Sequence, residues 1–382
     1  MGYKIFILGL ILTSRVIIPQ TSIDSVYIEN GSVKSSKKTI VDHPNPLTIQ
    51  FSFLRGDLIP HAKEVLNVKG KHPTEYKLLF GWQMLSKKVW DNYHSYPRFG
   101  FFTEYFDTDF EETLGHGYSA GMFFTYFFGL PSDFNFIVQG EAGLTYLTKP
   151  YNKEFHPENM SYSTYLNYSL LIGGGINLQF SKWLELQFLI SMNHKSNAAY
   201  LEPNGGINYP AISLAIGYVF NPIDFEPIPG EDPYLTSPKK KRWEISLSGG
   251  ISSMPYPKPG QAAMISISFL RSVQVARLIA ITGGAELEFN GRAKKLMENY
   301  YTNINSSYWR TSVQLGGEFL LEKTIFGVQL GIYFYRQYVE GDDIYQRYYL
   351  VYNIFKHIYA GISFKAYGHF ADHLDLKFAY SF

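Results

Sequence analysis

Apolar and polar residues alternate along several segments of about ten residues. In residues 184–196 the even positions are apolar up to Met192, whereas most odd positions are polar. Residues 134–147, 211–220 and 374–382 alternate in the same way, with large apolar side chains on one face. Because the side chains of a strand point to opposite faces with a period of two, each segment predicts a strand with one apolar face.

The pattern extends to about sixteen predicted strands. Strands that are apolar outward and polar or small inward are typical of transmembrane β-barrels. The last predicted strand ends on an aromatic residue, Phe382, as the last strands of outer-membrane barrels do. We therefore predict an all-β, antiparallel transmembrane β-barrel rather than a soluble β-sandwich. The further predicted strands are 47–55, 76–84, 96–107, 116–129, 163–181, 243–252, 261–274, 277–289, 307–321, 325–338, 346–354 and 358–368.

An internal repeat and a proline-rich segment divide the chain. Residues 139–144 are similar to residues 282–287. Between the two copies, residues 221–242 contain five prolines and end on a basic run. Periplasmic turns of barrels are short, so this segment fits a linker better than a turn. We predict two tandem eight-stranded barrels, in residues 21–220 and 243–382, with one sixteen-stranded barrel as the alternative.

The first twenty residues predict an export signal. Lys4 precedes an apolar run that is too short to cross a bilayer as a helix. An exported chain without a longer apolar run must cross a membrane as strands. Residues 1–20 therefore agree with the predicted location of the chain, the bacterial outer membrane.

Composition excludes several classes of site. The 382 residues contain no cysteine, which excludes disulfides and thiolate metal sites. The net charge of +1 gives no reason to expect a nucleic-acid partner. We expect no metal and no cofactor, and the oligomeric state stays open.

The candidate chemistry lies at the end of the alternating segment 184–196. His194 and Ser196 occupy the last two positions of its apolar face, where neither has a packing reason to stand. An imidazole beside a hydroxyl is the pair of groups that forms an activated nucleophile. With strand seven running outward, both residues come to the outer-leaflet end of the first barrel.

The residues around this pair extend the pattern into a longer motif. Residues 193–199 read Asn-His-Lys-Ser-Asn-Ala-Ala, and residues 203–208 read Pro-Asn-Gly-Gly-Ile-Asn. This motif resembles the PagL-type lipid A deacylases, also called acyloxyacyl hydrolases, a family of outer-membrane barrels. The resemblance covers residues 76–220, and its specific part is residues 193–208.

The resemblance implies roles for individual residues. It makes His194 the general base and Ser196 the nucleophile. It places the oxyanion hole at Asn197 and the backbone amides around Ala198 and Ala199. It also implies that the substrate is lipid A or a related outer-leaflet lipid.

One position departs from the family. Where typical members have a glutamate that orients the histidine, this chain has Asn208. An amide can hold an imidazole tautomer, but it does not stabilise the imidazolium as a carboxylate does. Glu202, in the same loop, is the alternative orienting residue, and the sequence does not decide between the two.

Two other functions compete with a lipid A esterase. The first is a barrel that is not an enzyme, either a porin-like channel or a scaffold with a decayed site. The second is a phospholipase, which would use the same nucleophile.

The second repeat has no His or Ser from Ile325 to Asp343, so we predict that it lacks the site. An open, charge-lined lumen would favour the channel, and a filled lumen with the pair on the outer wall would favour the esterase.

Overall fold

Two closed eight-stranded antiparallel barrels follow one another along the chain. The computed structural model describes residues 23–29, 32–38, 45–129, 132–223, 232–254, 260–300, 307–338, 342–368 and 370–382. The predicted fold class, with two tandem barrels rather than a single sixteen-stranded one, is confirmed.

The first barrel is an up-and-down meander in which each strand pairs with its neighbours in sequence. The last strand closes the barrel by pairing with both the strand before it and the first strand. Its strands are β3 (Leu47–Gly56), β4 (Thr74–Gln83), β5 (Arg98–Asp107), β6 (His116–Phe128), β7 (Phe134–Leu147), β8 (Leu166–Ser181), β9 (Leu184–Ser196) and β10 (Ile207–Phe220).

The second barrel has the same topology and closes through the pairing of its first and last strands. Its strands are β11 (Lys241–Met254), β12 (Gly260–Ala276), β13 (Ile279–Asn290), β14 (Trp309–Leu321), β15 (Thr324–Tyr335), β16 (Ile344–Phe355), β17 (Ile358–Tyr367) and β18 (Phe370–Ser381).

The remaining elements are short. A separate antiparallel hairpin consists of β1 (Ile23–Glu29) and β2 (Ser32–Lys38), in a region assigned above to the first barrel. No helix in the described ranges is long and apolar enough to cross a membrane. The predicted export signal lies outside the described residues. The helices are a 3₁₀ turn (Lys63–Val68), α1 (Lys87–Tyr93), α2 (Glu111–Leu114), α3 (Pro233–Thr236) in the predicted linker, and α4 (Gly291–Tyr300).

Buried ion pairs fill the interior of the first barrel. The Lys77 ammonium lies 2.7 Å from the Glu141 carboxylate and 3.1 Å from that of Glu104. At the start of β5, Arg98 donates two hydrogen bonds to Glu185, of 2.5 and 2.9 Å. An eight-stranded barrel is just wide enough for side chains to fill it, and these side chains are buried.

The second barrel has an equally polar, filled interior. The Arg347 guanidinium contacts three carboxylates, at 2.9 Å from Glu286, 3.1 Å from Glu288 and 2.8 Å from Asp375. Lys365 lies 2.5 Å from Glu288. Both lumens are therefore occupied by paired charges, the arrangement expected of the esterase rather than of an open channel.

Large apolar side chains cover the outward faces of both barrels. Strand positions alternate between buried and exposed along most of the barrel strands. The exposed positions form an apolar band, as in a barrel whose wall faces hydrocarbon. Representative members are Phe51, Phe101, Phe136, Ile172, Ile190, Ile212, Ile267, Leu315, Leu330, Leu376 and Phe378.

The connections of the first barrel differ in length between its two ends. At one end β3–β4 and β7–β8 are joined by residues 57–73 and 148–165, and β9–β10 by residues 197–206. At the other end β4–β5, β6–β7 and β8–β9 are joined by residues 84–97, 129–133 and 182–183, which are shorter on average. Long connections mark the extracellular end of an outer-membrane barrel, so β9 ends on that side.

The internal repeat does not relate equivalent strands. Residues 139–144 lie in the fifth strand of the first barrel, and residues 282–287 lie in the third strand of the second. The strand of the second barrel that is equivalent to β9 is β17, which contains Ser363 and no histidine. Ser363 is buried and accepts a 2.9 Å hydrogen bond from Arg347.

We predict that Arg98→Met destabilises the chain by about 3–5 kcal/mol, because it leaves the Glu185 carboxylate buried without its partner. The double variant Arg98→Met with Glu185→Met should lose less than the single variant, since no charge is left uncompensated. Urea unfolding in detergent micelles, followed by tryptophan fluorescence, measures both. Equal losses in the two variants would contradict this account.

Candidate active site

The pairing of β9 with β10 places His194 directly opposite Asn208. Residues that face each other in an antiparallel pair have neighbouring side chains on the same side of the sheet. Ser196, two residues after His194, shares that side. The outward face of the wall therefore brings the three side chains together where the barrel strands end.

Their contacts form one continuous chain of hydrogen bonds. His194 Nε2 lies 2.7 Å from Ser196 Oγ, and His194 Nδ1 lies 2.5 Å from Asn208 Oδ1. Because an amide oxygen only accepts, Nδ1 carries the proton in this arrangement and Nε2 is the acceptor for the serine hydroxyl. This is the tautomer that a general base requires.

A second histidine lies on the far side of Asn208. Asn208 Nδ2 is 3.1 Å from His61 Nδ1, so the two ends of the amide contact different histidines. His61 comes within reach because the β3–β10 ladder continues past β3, with the Ile59 amide donating to the Asn208 carbonyl at 2.9 Å. With Asn208 Nδ2 turned to His61 Nδ1, the Oδ1 end of the amide faces His194.

The nucleophile candidate is followed immediately by a tight turn. The Tyr200 amide donates to the Asn197 carbonyl at 3.2 Å, and the two central residues, Ala198 and Ala199, have φ of 55° and 60°. The Ala198 amide points back at Ser196 Oγ, at 3.3 Å. A backbone N–H thus lies beside the hydroxyl, where an oxyanion would need a donor.

The side chain of Asn197 points away from Ser196. Its Nδ2 donates to the Leu201 carbonyl at 2.8 Å and to Ser163 Oγ at 3.0 Å. Its backbone amide donates to Asn204 Oδ1 at 3.0 Å. Asn197 therefore braces the loop, and of the three oxyanion candidates it is the Ala198 amide that contacts Ser196 Oγ.

Glu202 is also turned away from the histidine. Its carboxylate accepts hydrogen bonds from the Asn204 amide at 3.1 Å and from Ser253 Oγ, in the second barrel, at 3.0 Å. Of the two orienting residues that the sequence left open, the structure brings Asn208 to His194 and places Glu202 between the loop and the second barrel.

An apolar stretch of outer wall continues from the pair toward the membrane interior. Met192 and Ile172 face each other across β8 and β9, and their side chains are 42% and 59% exposed. Ser196 itself is only 3% exposed. The hydroxyl is thus sheltered at the rim, and the exposed apolar side chains lie further along the same outward face of β8 and β9.

Residues with contacts to this site were missed by the sequence reasoning. His61 precedes Asn208 by 147 positions, and Ser253 follows Glu202 by 51. Neither residue belongs to the motif, and no spacing rule connects them to it. Only the closure of the first barrel and the contact between the barrels bring them to the site. Among the described residues, no group of three or more His, Asp or Glu side chains is arranged to hold a metal ion.

Two family models match the chain, one in each barrel. The model described as lipid A 3-O-deacylase (PagL) matches residues 75–217, and that described as acyloxyacyl hydrolase, C-terminal domain, matches residues 241–382. Both matches agree with the resemblance drawn from residues 193–208 and confirm it.

The chain is also similar to solved structures, at low identity. The crystal structure of the outer membrane enzyme PagL is 14% identical, with 44% of this chain and 97% of that chain covered and a TM-score of 0.30. A Rhodopseudomonas blastica porin triple mutant is 8% identical, with 88% and 99% covered and a TM-score of 0.18. Both TM-scores are below 0.5, so neither structure is used as evidence for the function of this chain. No curated protein matches this chain.

We predict that Gly206→Ala disturbs the His194 ring. A Cβ at this position would lie 3.2 Å from His194 Cε1, on a backbone with φ of +74°. Gly70→Ala is the matched control, since Gly70 has φ of +77° and no atom within 4 Å of its added Cβ.

Both variants should lose about 1–2 kcal/mol of stability in urea unfolding, because both force alanine into the left-handed region. Only Gly206→Ala should slow covalent labelling of Ser196 by a fluorophosphonate, by several-fold. Equal labelling rates would show that the added methyl does not reach the ring.

Proposed function

We propose that this chain, which belongs to the PagL-type lipid A deacylase family of outer-membrane ester hydrolases, removes a fatty acyl chain from lipid A through attack by Ser196. The observation that carries the proposal is the continuous contact from Asn208 through His194 to Ser196 on the outer wall. A pair on the lumen side would have no access to a lipid.

The reaction follows from the proton positions. His194 Nε2 takes the hydroxyl proton of Ser196. At the same time Ser196 Oγ bonds to the ester carbonyl carbon, and the C=O π electron pair moves to the carbonyl oxygen. The tetrahedral intermediate collapses with cleavage of the ester C–O bond, and the imidazolium returns its proton to the departing lipid hydroxyl. Water, deprotonated by the same imidazole, then releases the fatty acid and restores Ser196.

Backbone amides of the turn supply the stabilisation of the oxyanion. Charge develops on the former carbonyl oxygen, next to Ser196 Oγ, and donors fixed there before reaction are worth the most. The Ala198 amide, 3.3 Å from the hydroxyl, is the donor that lies nearest, and we assign the Ala199 amide beside it as the second.

Asn208 acts as the orienting residue. It holds the Nδ1–H tautomer of His194 with its oxygen, while its Nδ2 contacts His61 on the other side. A neutral amide leaves the imidazolium less stabilised than a carboxylate would. We therefore expect a slower proton transfer than a carboxylate partner would give.

The wall beside the site suits a lipid substrate. The acyl chain of an outer-leaflet lipid would run down the exposed side chains of Met192 and Ile172, placing its ester near the strand end. The ion-paired, filled lumens disfavour the channel alternative, which needs an open path. Lipid A is preferred to a glycerophospholipid because of the family match.

We predict that Ser196→Ala abolishes acyl release and that His194→Ala lowers kcat by about 10²–10⁴-fold, since it removes the general base. Mass spectrometry of lipid A from cells that carry each variant measures the loss of one acyl chain. Equal outer-membrane levels of the variants are the control. Deacylation by Ser196→Ala would end the assignment of the nucleophile.

We predict that Asn208 and Glu202 differ sharply in their effect on the reaction. Asn208→Ala should lower kcat by about 10²-fold or more, because the tautomer of His194 is no longer held, whereas Asn208→Asp should keep or raise it. Glu202→Gln should stay within about tenfold of the wild type, since an amide oxygen still accepts from Ser253. Turnover of purified lipid A in detergent micelles measures both, and the reverse ranking would make Glu202 the orienting residue.

A further inference from the structure

We infer that the second barrel, through Ser253 and Gln261, holds the turn of residues 197–200 in the conformation that presents its amides to Ser196. The Ser253 amide donates to the Ala199 carbonyl at 3.0 Å, and Gln261 Nε2 donates to the Tyr200 carbonyl at 3.2 Å. The Ser253 hydroxyl donates to the Glu202 carboxylate at 3.0 Å. These three bonds are called the clamp below. The inference rests on the proposed function, because it assigns a role to the turn next to Ser196.

The turn needs outside support. Ala198 and Ala199 both have positive φ, a region where the Cβ of an L-residue is crowded and where two-residue turns favour Asn and Gly. Strained residues persist when their surroundings over-determine them, and they concentrate at functional sites. Part of the surroundings of this turn belongs to the other barrel.

The clamp acts on the peptide unit that closes the turn. The N–H of the peptide between Ala199 and Tyr200 donates to the Asn197 carbonyl at 3.2 Å, and its C=O accepts from the Ser253 amide at 3.0 Å. One peptide plane is thus fixed by the first barrel at one edge and by the second at the other. Rotation of this plane would turn the neighbouring amides away from Ser196.

A second route leads from Ser253 to the residue after the nucleophile. The Ser253 hydroxyl contacts Glu202, whose carboxylate accepts from the Asn204 amide at 3.1 Å. Asn204 Oδ1 in turn accepts from the Asn197 amide at 3.0 Å. The hydroxyl of Ser253 therefore anchors the far side of the same loop. Both routes start from a residue that is 2% exposed, at the end of β11.

The barrels also touch at their opposite ends, which provides a matched control. There Lys88 forms an ion pair with Glu322, and the Arg277 guanidinium donates to the Asp91 carbonyl at 3.1 Å. These contacts join the same two barrels through the short turns and α1, away from residues 197–206. Loss of general docking and loss of the clamp can therefore be separated.

The experiment compares Ser253→Pro/Gln261→Ala, which removes all three bonds because proline has neither an N–H nor a hydroxyl, with Lys88→Ala/Arg277→Ala in the full chain in detergent micelles. Three quantities are measured: the rate of Ser196 labelling by a fluorophosphonate, kcat and KM on purified lipid A, and hydrogen–deuterium exchange of the amides of residues 198–202. The fluorophosphonate leaves a tetrahedral adduct on Ser196, so its labelling rate reports on the oxyanion donors.

Loss of the clamp should slow labelling and lower kcat about tenfold with KM unchanged, and should speed amide exchange in residues 198–202. Ser253→Thr, which keeps the hydroxyl, should retain wild-type kcat, and the control variant should stay within twofold in all three measurements. Wild-type exchange and kcat in Ser253→Pro/Gln261→Ala, or an equal loss in the control, would overturn the inference. If the wild type does not deacylate lipid A, the proposed function fails, and amide exchange still tests the clamp by itself.

Discussion

The Lys195 ammonium inside the first barrel fixes the position of the candidate site. It lies 2.7 Å from Glu104 and 3.3 Å from Glu75, and it is 2% exposed. A charge this deeply paired cannot move to the outer face without the cost of an uncompensated buried carboxylate. Since strand neighbours point to opposite faces, His194 and Ser196 must then face outward. A register slip of one residue would put the chemistry in the lumen and the lysine in the membrane.

The same constraint explains why the site lies at a rim. Polar side chains on a lipid-facing wall are costly at the bilayer centre and cheap near its interface. His194 and Ser196 are the last outward positions of β9, beyond the exposed Met192. The ester bond of a lipid lies between its acyl chain and its headgroup. The depth in the bilayer at which an imidazole is tolerated on the outer wall is therefore also the depth at which such an ester bond lies.

Local patterning predicted most of the fold and the central pair of the site. The sixteen barrel strands were predicted because side-chain alternation is a property of each strand alone, and β7 was located at its observed bounds, Phe134–Leu147. The two-barrel division was predicted from the composition of the linker. The short repeat did not identify equivalent strands of the two barrels. Gly-rich segments recur wherever neighbouring strands approach closely, as at Gly121 against Gly143. Similar segments therefore fell in strands that are not equivalent.

The rest of the site depends on contacts that join distant parts of the chain. His61 reaches Asn208 only because β3 closes the barrel against β10, and Ser253 reaches Glu202 only because a second barrel lies beside the loop. Neither residue follows from periodicity or from the motif. Pairing with a neighbour in sequence is implied by the strand pattern, whereas contacts between loops and between barrels are set by the folded shape.

The substitution of an amide for a carboxylate and the role of the second barrel have a common physical basis. An ionised carboxylate on the outward wall would need compensation in a medium of low dielectric constant, which a neutral Asn208 avoids. In the proposed reaction the amide stabilises the imidazolium less, so a larger share of the transition-state stabilisation would fall on the proposed oxyanion donors. Those donors lie on a turn of two left-handed alanines, which is costly to hold in place. A site with a neutral amide instead of a carboxylate beside its histidine therefore depends more on the geometry of its backbone donors. Hydrogen bonds from a second barrel are a direct way to fix that geometry.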